Sequence, residues 1–415
     1  MPRNEHNLTA IELGTSAIKA CMGVTNRDGT LTFAGYEEVP ARDCIRKGEI
    51  VSANTALDLV GETLNRLETQ TGKTVGPVYL AVTGDHFTGN NAVFTVPITS
   101  PDRVVTEQDL VVATRSAREQ YRPPGKVLVH SYQRAYVLDD ARRVSNPVGL
   151  VAGRLSAEIH QIFADHNRIE TLLRLLLNVL GEQVMDIVFS GIASFHGLAP
   201  MDEVSQGVLL VDIGAGVTEY VLFYGEGCLH SGQLSVGCDH LANDLALGLR
   251  LPLEQARELV CQQGAALVRA DAALRQVAIP DRHGHCRLVP EANVHRIMEA
   301  RLLELFELIR EDLDRQDLRA LLGGGVVLAG GGALIPRLDQ LAHQVFQAPA
   351  RLAHVRRLPG LPDTLDNPRC LTPVGLLCLG HHFRQIDQSN SQPLHQVVRQ
   401  ELGSLIDFCR HAIRL

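Results

Sequence analysis

Two related α/β lobes, one interrupted by an inserted α+β module, are what this sequence predicts. Three observations carry that expectation. A strand–glycine–strand unit occurs twice, as Ile11-Glu12-Leu13-Gly14-Thr15-Ser16 and as Val211-Asp212-Ile213-Gly214-Ala215-Gly216-Val217-Thr218. Each copy is an apolar strand ending in an acidic residue, a small-residue turn with a hydroxyl, and a returning strand. Amphipathic helices accompany the strands in both halves. Between them, residues 86–163 change texture to short strands and one helix.

In order along the chain, Leu8–Leu13 and Ile18–Val24 flank Gly14-Thr15-Ser16 and predict a β-hairpin, closed below by the turn residues Asn26-Arg27-Asp28-Gly29. Ala56, Leu59, Val60, Leu64 and Leu67 repeat with the period of a helix over Ser52–Glu68. Val78–Val82 reads as a strand running into Thr83-Gly84-Asp85. The inserted stretch contains one helical pattern, Thr106–Tyr121, between turn-rich segments. A helix over His166–Leu180, a strand over Val184–Phe189 and the second hairpin follow. Helices at Asp239–Leu249 and Pro252–Gln263 and a long one over Glu291–Gln316 lead to the strand Val326–Ala329 and Gly330-Gly331-Gly332-Ala333. The globule ends near Phe383; Arg384–Pro393 has the polar composition of a linker.

Composition narrows the function. The chain has 415 residues with 47 acidic against 39 basic side chains, a net charge of −8. Without a basic tract, phosphate neutralisation along a nucleic acid is not supported, so no nucleic-acid partner is expected. Nine scattered cysteines lacking a Cys-x-x-Cys pair predict neither a disulfide framework nor a zinc site, which suits a reducing cytosol. His283, His285 and Cys286 are metal-ligand types in one loop without a second ligand pair, and His381-His382 reads as surface. Cys238 reads as a small buried thiol. No apolar run approaches the roughly 20 residues of a spanning helix, so membrane contact is expected to be peripheral.

The chemistry is concentrated in the glycine loops. A strand that delivers a carboxylate into a Gly/Ser/Thr turn puts backbone N–H groups and an acid at one sheet edge, an arrangement suited to a phosphate–metal complex. The loop Ala329–Ala333, between a strand and a helix, lets an adenosine approach bare backbone.

These residues resemble the actin-like ATPases, and among them the FtsA family of bacterial cell division. Ser235–Ala246 (SVGCDHLANDLA) and Leu249–Ala256 are similar to FtsA elements, and Asn146-Pro147-Val148-Gly149 with Ala157-Glu158-Ile159-His160 to the end of the FtsA-type subdomain. The resemblance runs over about residues 8–380. It implies a two-lobed actin-like fold, a duplicated ribonuclease-H-like architecture with an FtsA-type inserted α+β subdomain. The first lobe would comprise 1–85, 164–205 and 365–383; the insertion 86–163; the second lobe 206–364, with a smaller subdomain over roughly 240–318. A linker at 384–393 and an amphipathic helix at 394–415 would follow.

The implied ligands are ATP and Mg²⁺. Phosphates would meet Gly14, Thr15 and Ser16 and, opposite, Gly214, Ala215, Gly216, Val217 and Thr218. Glu12 and Asp212 would be linked to Mg²⁺. Adenosine would meet Gly330, Gly331, Gly332, Ala333, Glu254 and Arg257. Several positions depart from the family pattern. Glu12 stands for Asp, Ala17 for the usual Lys, Ala215 for a third Gly, Glu219 for Asp and Val260 for a Lys near the ribose. The water-activating Glu-Pro pair is Ser190-Gly191. A serine has no base of suitable pKa, so no catalytic residue is assigned and weak or absent hydrolysis is expected. The implied partners are a tubulin-like FtsZ ring, further copies of the chain in protofilaments, other division proteins through 86–163, and the cytoplasmic face of the inner membrane at the septum. A PilM-like pilus scaffold shares the fold; a metabolic kinase or chaperone of the superfamily is less well matched.

Leu394–Leu415 carries apolar residues at three- and four-residue steps. Such a stripe beyond a linker needs a partner surface, and Leu402, Leu405, Ile406, Cys409 and Ile413 are the expected membrane contacts, with a helix folded back on the body as the competing arrangement.

Overall fold

The first hairpin forms as expected from its turn. β1 (His6–Leu13) and β2 (Ala17–Thr25) pair antiparallel, and β3 (Leu31–Pro40) continues the meander. A short pair, β4 (Ile45–Arg46) and β5 (Glu49–Ile50), leads into α1 (Ala53–Thr71), which buries the five periodic apolar residues and ends at Gly72 in the left-handed region, φ 64°. β6 (Val78–Val82) then pairs parallel with β1. This is a computed structural model, and it describes residues 6–225, 227–280, 286–389 and 403–410. The His283–His285 loop residues lie outside these.

The insertion begins with β7 (Thr88–Pro97) and α2 (Glu107–Gln120), the latter started by a capping box in which Thr106 and Asp109 exchange hydrogen bonds. β8 (Lys126–Leu138), β9 (Arg142–Val144) and β10 (Arg154–Asp165) complete a sheet of order β7-β10-β8-β9, on which α2 packs through buried Ala113 and Ala117. α3 (His166–Leu180), β11 (Val184–Phe189) and α4 (Ser190–His196) return the chain to the first sheet, whose order is β11-β6-β1-β2-β3.

The second half repeats this plan. β12 (Val208–Ile213), β13 (Thr218–Tyr224) and β14 (Gly227–Leu234) form the meander. Helices α5 (Cys238–Leu249) and α6 (Leu253–Gln263), the hairpin β15 (Gln276–Pro280) and β16 (Cys286–Pro290), and α7 (Glu291–Arg315) intervene before β17 (Val326–Ala329), α8 (Leu338–Phe346) and β18 (Ala350–Leu352). The order β14-β13-β12-β17-β18 has the same antiparallel and parallel pairings as β3-β2-β1-β6-β11. The first sheet's apolar core also takes in one face of the second sheet, through Val208, Leu210, Val221 and Phe223, while the other face of the second sheet builds a core of its own. Every residue of β6 and nearly every residue of β2 is buried, as expected for strands covered on both faces.

Helix α9 (Leu371–Ser389) returns to the first sheet, packing on β1, β2, β6 and α4. It corrects the expected linker at its start, because Arg384–Ser389 is helical. Arg and Gln are good helix formers, and Gln385 hydrogen-bonds His381 one turn earlier (2.9 Å) and the Gly29 carbonyl (3.1 Å). Residues 390–393 lie outside the described part.

For the C-terminal stripe the structure shows the competing arrangement, a helix folded back on the body. Residues 403–410 are helical, but Leu405, Ile406 and Cys409 are buried in the first-sheet core rather than turned outward. Arg410 donates to the Val184 carbonyl, and the Arg174 guanidinium sits 5.7 Å from the Phe408 ring centre. The apolar stripe finds its surface on α3 and β11. Leu402 and Ile413 lie outside the described residues. No helix among the described residues is long and apolar enough to cross a membrane.

Candidate functional site

Both hairpin turns close in the same way. The Gly14 N–H donates to the Ala17 carbonyl (3.1 Å) and the Gly214 N–H to that of Val217 (2.9 Å). A Cβ at Gly14 or Gly214 would meet that same carbonyl at 2.9 or 3.0 Å, so the turn admits only glycine without a shift. The two turns face each other: a Cβ at Gly216 would come 2.8 Å from Thr15 Oγ1. A third loop closes the side, where Gly330 (φ 78°) lies so near Asp212 that an added Cβ would be 2.3 Å from Oδ1.

Between these loops is a cavity of about 460 Å³. Of the residues expected on phosphates, Gly14, Thr15, Ser16, Gly214, Ala215, Gly216 and Val217 line it. Thr218 is fully buried and donates to the Val236 carbonyl (2.8 Å), holding the loop rather than facing the space. Gly330 and Gly331 line the far end with Val260, Cys261, Leu334, Ile335 and Pro336. Gly332 and Ala333 are buried behind them, Gly332 against Ile213 and Cys238. Glu254 and Arg257 are not brought to the lining: Arg257 is drawn instead to Glu254 (2.8 Å) and Asp239 (3.4 Å). Burial pushes the Cys238 thiol up to about 12.

Charge in the cleft is paired strand to strand. Across β1 and β2, Glu12 stands opposite Lys19 and their side chains form a largely buried ion pair at 3.1 Å. Lys19 also donates to the Arg369 carbonyl (2.9 Å). Burial alone would lower the Lys19 pKa, but Glu12 outweighs it and the ammonium is held above its ordinary value. Burial raises Glu12, against the pull of Lys19. The family's missing lysine at Ala17 is thus met by Lys19, visible in the sequence as the strand partner of Glu12.

Across β12 and β13 the equivalent pair is Asp212 and Glu219. Asp212 accepts from Ser194 Oγ (2.6 Å) and, more distantly, from Thr372 Oγ1 (3.5 Å); burial is the main cause of its raised pKa. Glu219 accepts from Thr83 Oγ1 (2.5 Å) and from Ser190 Oγ. Burial pushes it up to about 8 despite those two donors. Thr83, Ser194, Glu219 and Thr372 were not assigned from the sequence: Thr83 follows β6, Ser194 and Thr372 lie on α4 and α9, Glu219 is the second residue of β13, and only the folded chain brings them together.

The insertion reaches the same region. His130 Nε2 accepts the Phe189 N–H (3.0 Å), fixing the strand end just before Ser190, and His160 bridges Asn91 (2.7 Å) to Ser231 of the second sheet (2.8 Å).

The family profile "Cell division protein FtsA" matches residues 209–375, and "SHS2 domain inserted in FTSA" matches residues 84–163. The chain belongs to the FtsA family. The FtsA of Pseudomonas aeruginosa is 28% identical over 376 residues, covering 90% of this chain and 89% of that one. Among solved structures, the PilM–PilN type IV pilus biogenesis complex superposes with a TM-score of 0.61 at 16% identity (90% and 98% covered), and MreB5 of Spiroplasma citri bound to ADP with 0.56 at 14% (93% and 99%). The fold is therefore actin-like, with the SHS2 insertion that marks FtsA, and the chain is an actin-like cell-division protein.

Proposed function

We propose that the chain binds ATP in the cleft between its two sheets and, as an FtsA, uses that state to assemble with further copies and to join an FtsZ ring to the inner membrane at the septum. The observation that supports this best is the pair of facing glycine turns with Lys19 beneath them, a cation and bare backbone suited to a polyphosphate. The apolar end formed by Val260, Ile335 and Gly330-Gly331 suits an adenosine. MreB5 bound to ADP shares the fold.

Mg²⁺ fits one of its two expected partners better than the other. Asp212 is a carboxylate whose side-chain hydrogen bonds come only from hydroxyls, whereas Glu12 is paired with Lys19. Among the described residues no group of three His, Cys, Asp or Glu is placed to hold a metal, so Asp212 would hold the ion together with ligand oxygens. The ion would supply charge neutralisation of the phosphates. Closure of the sheets on the ligand would select the assembling state.

Titration with ATP, with and without Mg²⁺, tests the reading: saturable binding is expected, weakened when Lys19 is replaced. No binding by the full chain would refute it. Co-sedimentation with FtsZ and with anionic vesicles tests the tether.

A further inference from the structure

Glu219, like Asp212, is a carboxylate of the second sheet that accepts hydrogen bonds from the first half of the chain. It projects from β13, is 4% exposed and lines the cleft. Both of its hydroxyl donors belong to the first half: Thr83 follows β6, and Ser190 opens α4 after β11. Ser190 is the position where the family pattern has its water-activating glutamate. Here a hydroxyl stands at that place and points at a carboxylate coming from the opposite side. A carboxylate is nonetheless present beside position 190, delivered by β13 from a place where the family pattern also has an acid.

Its hydrogen bonding leaves room for work. An ionised carboxylate offers about four lone-pair sites, and Thr83 and Ser190 occupy one on each oxygen. Glu219 also lines the cavity. Asp212, its strand neighbour, and Glu12 beyond are like charges, while Lys19 is committed to Glu12. Thus no cation within the cluster neutralises Glu219 as Lys19 does Glu12.

We propose that Glu219 is the catalytic carboxylate of this chain: it orients a water against the terminal phosphoryl group of bound ATP and accepts its proton, with Ser190 and Thr83 as positioning residues. The proposal rests on the nucleotide reading given above. The water oxygen forms a bond to the terminal phosphorus, and the bond from that phosphorus to the bridging oxygen breaks. The electron pair leaves with ADP, the water proton passes to Glu219, and inorganic phosphate is released. Glu219 then returns the proton to solvent. Slow turnover is expected, because the base reaches the water from a strand rather than from the helix start used in the family pattern.

The test uses the full-length protein, steady-state phosphate release from ATP, and separate binding of the non-hydrolysable analogue AMPPNP. Glu219→Gln keeps the shape and can still bond Ser190 and Thr83, so folding and AMPPNP binding are retained while kcat falls by about 10²-fold or more. Ser190→Ala and Thr83→Val lower kcat with KM unchanged, and Ser190→Thr and Thr83→Ser restore it. Turnover by Glu219→Gln at the parent rate overturns the assignment. So does a parent protein that binds AMPPNP yet releases no phosphate, a result that leaves the nucleotide reading standing. Failure of the parent to bind AMPPNP removes that reading, and the assignment with it.

Discussion

Replacing Lys19 by Met should destabilise the protein by an amount that depends on pH. The two side chains of the Glu12–Lys19 pair are only 16% and 10% exposed. Removing the ammonium leaves Glu12 two choices: remain ionised without a partner, at a cost of about 3–5 kcal/mol, or take up a proton. Protonation sets a ceiling. From an unfolded pKa of about 4.3, holding the carboxyl neutral at pH 7 costs about 3.7 kcal/mol, at about 1.36 kcal/mol per pH unit. Loss of the bond to the Arg369 carbonyl adds about 1 kcal/mol at any pH. The sign follows from linkage. In the variant the folded pKa of Glu12 lies far above its unfolded value, so the penalty is small near pH 4.3 and grows as pH rises. Because burial already raises Glu12 in the parent, the expected loss is at most about 4–5 kcal/mol at pH 7 and about 2 kcal/mol at pH 5. Urea unfolding of the parent and Lys19→Met proteins at both pH values measures it. Adding Glu12→Gln to Lys19→Met should abolish the pH dependence. An equal loss at pH 5 and pH 7 would refute the reasoning.

Three further outcomes are expected. Burial holds His130 down to about 3, so the folded state rejects its proton: stability is fully present above about pH 6.5 and is lost as pH falls. This group alone costs about 2 kcal/mol at pH 5, and His130→Gln, which can still accept from the Phe189 N–H, should show a shallower acid slope in urea unfolding. Gly330→Ala combines a positive φ with a Cβ 2.3 Å from Asp212 Oδ1; a loss of about 1–3 kcal/mol is expected, read by thermal unfolding, together with weaker ATP binding. Cys409 is fully buried, so maleimide labels it slowly in the free protein. Engagement of the terminal helix by anionic vesicles should expose it and speed labelling, followed by mass spectrometry of its peptide; an unchanged rate would show that the segment stays on the body.

The two hairpins were legible because each announces itself locally, through a terminal acid and a turn glycine that a Cβ would not fit. The helices were legible through their apolar period, to within a residue or two at α2 and α7. Lys19 was overlooked because the family spacing drew attention to Ala17, whereas strand register puts the residue opposite Glu12 in the cleft. Glu254 and Arg257 share α6 with lining residues Val260 and Cys261, but ion pairing with each other and Asp239 keeps them from the cavity. Thr83 and Ser190 meet Glu219 only across the fold, and no local pattern encodes that. The C-terminal stripe was recognised as amphipathic, yet period alone cannot say which apolar surface receives it; α3 and β11 supply one in this structure.

The rungs Glu12–Lys19 and Asp212–Glu219 occupy corresponding positions in two copies of one sheet. One rung carries a cation and the other only acids, so the two copies face the cleft with different charges. With the third glycine loop and the apolar wall at Val260 standing on the second side alone, the doubled architecture has a head and a tail, and a ligand between its sheets meets different surroundings at each end.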